Sequence, residues 1–177
     1  KSYTRILGEQ LMEDYPEYNL TSKQLNVIVS ASALHDVGKI AIPDSILLKP
    51  GRLTKEEFEY MKEHTTKGCE IINNIRGVWS EEYAKASYEI CRHHHERYDG
   101  RGYPDGLLGE NIPISAQLVA VADVYDALVN ERVYKSAFSA DKAFNMIING
   151  ECGTFSPKLM DCFTKCRDRF ESLAGEQ

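Results

Sequence analysis

Six residues could do chemistry together. They are the neighbouring pair His35-Asp36, then His64, then His94-His95 within a run of three histidines, and Asp123. All five histidines lie between positions 35 and 95. His35 and Asp36 end a very apolar stretch, VIVSASAL, where a carboxylate is rarely buried without a partner. Asp123 interrupts another, QLVAVADVYDALV. A metal ion is one partner that holds imidazole and carboxylate in such surroundings. The plainer alternatives are a helix C-terminal histidine favoured by the macrodipole, with Asp36 in a turn, and a buried salt bridge to Asp123.

Imidazole and carboxylate without thiolate suit Fe, Mn or Zn. Several such groups on separate helices suggest two ions, which together acidify a bridging water and clamp a phosphoryl group. Consecutive helical residues project about 100° apart, so His94 and His95 reach two ions better than one. His93 then points elsewhere, as an outer or exposed group. Lys39 stands one turn beyond Asp36, where it could stabilise charge on phosphate oxygens or be a solvated lysine.

The elements that must carry these groups are helical. Leu7 and Leu11 fit a helix over 3–14 ended by Pro16. Thr21-x-x-Gln24 opens a helix over about 22–37, closed by Gly38. Thr54-x-x-Glu57 opens another, which Gly68 kinks or ends. Ser80 starts the helix leading to the histidine run. Residues 99–113 hold four glycines and two prolines, too many for helix or strand. Helix resumes over 115–129, Ser139 caps the next, and Ser156-Pro157 begins the last. The expectation is an all-α fold, a single compact domain of six to eight helices over 1–177. The chain opens on Lys inside a helical pattern, so it reads as a fragment with an incomplete first helix.

Composition excludes several classes. With 42% hydrophobic and 27% charged residues the chain is globular. A net charge of −6 argues against a DNA-binding surface. No stretch reaches the ~18 apolar residues of a membrane span. Five cysteines without a CxxC pair fit a reducing, cytoplasmic setting. Cys69, Cys91, Cys152, Cys162 and Cys166 read as small buried groups, and Trp79, Phe138, Phe144 and Met146 as packing.

Two longer motifs carry a family resemblance. One is HDVGK at 35–39 followed by Ile42-Pro43 and LLKPG at 47–51; the other is HHERYDGRGYP at 94–104. With His64, Gly68, the run 119–128 and Arg132-x-Tyr134-Lys135, they resemble the HD-GYP branch of the HD-domain metal-dependent phosphohydrolases. The resemblance runs over about 1–165. It implies an HD-type helical fold and hydrolysis of cyclic di-GMP to pGpG and/or GMP by a metal-bound hydroxide. It implies that His35, Asp36, His64, His94, His95 and Asp123 are metal ligands, with Asp36 bridging. It places Lys39 beside the scissile phosphate, Arg132 and Lys135 on substrate phosphates, and Gly102-Tyr103-Pro104 in the loop that names the family. Two or three divalent ions are implied, Fe or Mn, with Zn or Ni on purification.

It also implies a sensory or receiver domain upstream, a signalling-protein partner at the Gly102–Pro104 loop, and room for a dimer. Many members carry a further Glu or His on the first helix, at a position that here falls before Lys1, which leaves two against three ions open. Tyr98 stands where tryptophan is common and Thr65 where proline is. The competing readings are a binding module for cyclic di-GMP or a partner without turnover, and a phosphohydrolase acting on another nucleotide.

Overall fold

The computed structural model describes residues 1–130 and 137–175. Among the described residues ten α-helical segments form and no strand, only an isolated bridge between Asp99 and Leu108. The helices are α1 (Ser2–Asp14), α2 (Ser22–Ala31), α3 (Asp44–Leu47), α4 (Lys55–Lys62), α5 (His64–Ile75), α6 (Glu81–His93), α7 (Ile114–Val129), α8 (Ala140–Ile148), α9 (Pro157–Lys165) and α10 (Arg167–Gly175). No helix among the described residues is long and apolar enough to cross a membrane.

Helix starts follow local chemistry. Thr21 and Thr54 form reciprocal capping boxes with Gln24 and Glu57. Ser80 and Ser139 accept from the N–H groups of Tyr83 and Lys142. Each such cap stabilises its helix by about 1 kcal/mol.

α7 is the axis. Its residues from Ser115 to Ala122 are all buried, as expected of a helix apolar on every side. α1 lays Tyr3, Leu7 and Leu11 against the same core. Aromatic rings close the far end: Tyr3 stacks on Phe170 at 4.9 Å, and Phe144 on Phe163 at 4.5 Å. Phe138 and Met146 pack on this core, and Trp79 on a smaller cluster around Cys69, Ile72 and Cys91. Cys162 and Cys166 are also buried, and Cys152 is half-buried.

Four sequence expectations need correction. The helix expected over 22–37 leaves α-geometry at Ala31 and continues as tight 3-10 turns at Ser32–Leu34 and Val37–Ala41. The change of pitch turns His35 and Asp36 inward instead of leaving them on a continuing helix face. Gly68 neither kinks nor ends a helix; the break falls at Glu63, and Gly68 lies inside α5. Its lack of a side chain is used for packing: a Cβ at Gly68 would collide with Cys91 Sγ, and one at Gly38 with the carbonyl of His64. Ser156-Pro157 begins α9, and α10 follows after Cys166. With α3, these divisions give more helical segments than six to eight. The Gly/Pro-rich segment forms one 3-10 turn, at Gly109–Asn111.

Candidate metal centre

The six candidate residues converge from four places in the chain. The turn after α2 brings His35 and Asp36, the start of α5 brings His64, the turn after α6 brings His94 and His95, and α7 brings Asp123. Asp36 is central. Its Oδ1 lies 3.4 Å from His64 Nε2 and 3.8 Å from His94 Nε2. Its Oδ2 lies 3.3 Å from His35 Nε2 and 2.6 Å from Lys39 Nζ. His35 Nε2 is also 3.3 Å from Asp123 Oδ1.

Three imidazoles are oriented by their own turn. The Nδ1 of His35 faces the Ser32 carbonyl at 2.8 Å, that of His64 the Met61 carbonyl at 2.7 Å, and that of His94 the Ile90 and Cys91 carbonyls at 3.0 and 3.1 Å. A carbonyl only accepts, so each Nδ1 carries hydrogen and each Nε2 points inward. The Nε2 atoms of His64 and His94 stand 3.5 Å apart with no proton donor between them. Buried lone pairs facing each other need a cation or a shared proton.

Electrostatics separate the rings. Burial pushes His64 and His95 below the ordinary histidine value and takes His94 down to about 4. Burial also opposes the charge on His35, but hydrogen bonds to Asp123 and Asp36 prevail and lift it to about 10. The carboxyls of Asp36 and Asp123 are held low, because His35, and Lys39 for Asp36, outweigh their burial. His35 thus holds a proton between two carboxylates, while three neutral rings offer lone pairs nearby.

These donors fit divalent ions. Asp36, His64, His94 and His95 each present one atom within 4.8 Å of the others. Asp36 Oδ1 is sealed from solvent and has no hydrogen-bond partner, a costly state that a cation would relieve. His94 and His95 fall in this one group, contrary to the expectation that they diverge. α6 ends at His93, so helical spacing no longer sets them apart, and their rings lie 4.0 Å from each other. His35 and Asp123 form an adjoining pair joined to the group through Asp36. His93 lies outside, its Nδ1 3.5 Å from Asp105 Oδ2. His93, Glu96 and Asp105 also lie close together, but Arg92 already takes both oxygens of Asp105 at 2.7 Å.

The loop beyond is ordered by a residue that sequence reasoning passed over. Glu96 is buried, and its carboxylate accepts the backbone N–H groups of Asp105, Gly106 and Leu107 at 2.7, 3.1 and 3.0 Å. This clamp folds Gly102-Tyr103-Pro104 back over the centre. A Cβ at Gly102 would strike the backbone of Glu96 and Arg97. The Tyr103 ring stacks on His95 at 4.8 Å, and Lys62 Nζ sits 5.4 Å from its centroid. The signal for Glu96 was its place between the histidine run and a segment rich in unpaired backbone donors. A cavity of about 240 Å³ opens over Asp36, Lys39, His95 and Asp123, with Val124, Ala127 and Leu128 as its apolar wall. A larger cleft of about 400 Å³ lies between α2, α6 and Pro113, away from these residues. Arg132 and Lys135 fall outside the described residues.

The fold and this centre place the chain in a class of helical domains built around a buried cluster of histidines and aspartates. Residues 9–159 match the model of the HD domain family, and the chain belongs to that family, in its HD-GYP branch. A cyclic di-GMP phosphodiesterase of Vibrio cholerae is 43% identical over 99% of this chain and 36% of its own length. A 3′3′-cGAMP-specific phosphodiesterase 2 of the same organism is 40% identical over 88% of this chain and 29% of its own length. Among solved structures, an HDG"Y"P protein from Bdellovibrio bacteriovorus superposes with a TM-score of 0.65 at 18% identity, covering 94% of this chain and 50% of that one. The chain therefore spans between 29% and 50% of the lengths of these proteins.

Proposed function

We propose that this chain is the catalytic domain of a metal-dependent phosphodiesterase that cleaves cyclic di-GMP to pGpG and/or GMP. The observation that carries the reading is the sealed Asp36 Oδ1 facing the Nε2 atoms of His64 and His94, with Lys39 on its other oxygen. In this reading His35, Asp36, His64, His94, His95 and Asp123 would hold two divalent ions, Fe or Mn. Zn or Ni would enter on purification, and a third ion would require a further ligand. When bound, the ions supply an acidified water and neutralise phosphate oxygens.

The chain's own residues do the rest. Asp36 keeps its carboxylate ionised, and Lys39 beside it places an ammonium where charge grows on the phosphate. Tyr103 covers one face of His95 and excludes water from it. Val124, Ala127 and Leu128 offer an apolar wall to a nucleobase. Arg132 and Lys135 are assigned to the substrate's phosphates on the strength of the motif alone. A cytoplasmic setting, an upstream input domain, a dimer and a signalling partner at the Gly102–Pro104 loop belong to the same proposal.

The test is turnover by the full-length protein, loaded anaerobically with Fe(II) or with Mn(II), following pGpG and GMP. Asp36→Ala and His95→Ala are expected to lose metal and activity together. Activity surviving in either folded variant would sink the ligand assignment. The relative specific for 3′3′-cGAMP favours a second reading, the mixed cyclic dinucleotide as substrate, so both nucleotides belong in the assay.

A further inference from the structure

The cavity over the metal centre has two unlike sides. Asp36, Lys39, His95 and Asp123 form the polar side, and Val124, Ala127 and Leu128 the apolar one. The apolar side belongs entirely to α7. Among the described residues Val124 and Leu128 also pack on the main core, whereas Ala127 does not. The Ala127 methyl is the part of the wall given over to the cavity.

α7 cannot turn to relieve a crowded wall. Val121 and Tyr125 are fully buried and Leu128 nearly so. Tyr125 projects about 200° round the helix from Ala127, and the rings of Tyr3 and Phe170 hold it, each at 5.0 Å. A longer side chain at 127 would therefore rise into the cavity. Room there is short: the cavity measures about 240 Å³, below the ~300–1,000 Å³ of sites that enclose a whole drug-sized ligand. It has space for one base with its sugar, and the rest of a cyclic dinucleotide would lie outside. Ala127 also stands one turn beyond Asp123, a spacing that sets Cβ atoms about 5–6 Å apart. A ribose bridges that kind of distance between its phosphate and its base.

We infer that Ala127 is a specificity-determining residue. With nothing beyond its methyl, it leaves the notch in which one nucleobase of the cyclic dinucleotide lies against α7 while the attached phosphate reaches the metal centre. The assignment rests on the phosphodiesterase reading above and adds the position that sets the room for the base. An alanine kept only for helix formation could be exchanged for leucine, another strong helix former, without changing substrate choice.

Two substrates separate these roles in full-length, Mn(II)-loaded protein. Cyclic di-GMP needs the notch, and methyl p-nitrophenyl phosphate, a small phosphodiester without sugar or base, reports the metal centre alone. Ala127→Leu is expected to lower kcat/KM for cyclic di-GMP about tenfold or more, the effect of one overpacked side chain, and to leave the small ester within about twofold. Calorimetry with the bisphosphorothioate analogue of cyclic di-GMP is expected to show the same loss as weaker binding. Metal content and melting temperature are expected to stay near wild type, and Ala127→Ser, which adds little volume, near wild type in every readout. Should Ala127→Leu fail to fold, Ala127→Val, a smaller addition, takes the same test. Cyclic di-GMP turnover and analogue binding undiminished in the enlarged variant overturn the inference, and so does a parallel fall for both substrates or a loss of bound metal. Wild-type protein that cleaves the small ester but neither binds nor hydrolyses cyclic di-GMP overturns the cyclic di-GMP reading itself.

Discussion

Glu96→Gln removes one oxygen and one charge and changes almost no volume. In the native protein Oε1 accepts two backbone N–H groups and Oε2 accepts a third. A glutamine oxygen can keep the first two. Its amide nitrogen then faces the Leu107 N–H, donor against donor. The loss combines a charge-assisted hydrogen bond, about 1.5–3 kcal/mol, with an orphaned buried donor, about 1–3 kcal/mol. Part is recovered by relaxation, so about 3 kcal/mol is expected. For a chain of this length that lowers the melting temperature by about 6–12 °C. Thermal unfolding of metal-free protein by circular dichroism measures it, and hydrogen exchange locates it, with faster exchange at Asp105, Gly106 and Leu107. Glu110→Gln is the control. Its carboxylate accepts from the Tyr18 and Tyr98 hydroxyls at an exposed site, so a shift of about 2 °C or less is expected. A melting temperature for Glu96→Gln within that range, with the three amides still protected, would refute the clamp.

Other perturbations give equally direct outcomes. Because His35 is lifted to about 10, it carries a proton at neutral pH, which a metal would displace if His35 is a ligand as proposed. His64, His94 and His95 are already neutral. Metal uptake at pH 7.5 is expected to release about one proton, and affinity to rise about tenfold per pH unit up to the His35 value. Calorimetry in buffers of differing ionisation enthalpy counts that proton, and no buffer dependence would refute it. In the metal-free protein the lowered histidines stay neutral when unfolded ones charge, so they destabilise the fold as pH falls below about 6.5. Acid denaturation with the midpoint moved lower by added Mn(II) checks this. Gly38→Ala has no room beside the His64 carbonyl and is expected to cost about 3 kcal/mol or more and to weaken metal binding, read by denaturation and metal titration. Thr54→Ala should cost about 1 kcal/mol and leave metal binding unchanged.

Legibility followed the range of the interactions. Helix starts at Thr21, Thr54, Ser80 and Ser139 depend on residues three positions apart, and the sequence displays them. The buried carboxylates Asp36 and Asp123 stood out because apolar residues surround them locally. The end of α2 was misplaced because the segment after Ala31 turns into 3-10 geometry, and the turn carrying Gly38 packs against α5, a contact between distant residues. The convergence of His94 and His95 was missed because helical spacing was carried one to two residues past the end of α6 at His93. Glu96 escaped because its partners are backbone amides, which have no residue identity to read.

The close seam formed by Gly38, Gly68 and Cys91 acts as a gauge between the turn bearing Asp36, the helix bearing His64 and the helix whose end leads into His94. The rings of His35, His64 and His94 are anchored to carbonyls of their own segments, so shifting one segment moves its ring as a rigid unit. Methyl-sized changes at the seam would alter the separation of the donors and not their identity. Selectivity among metals of different radius can then drift through positions that never touch an ion.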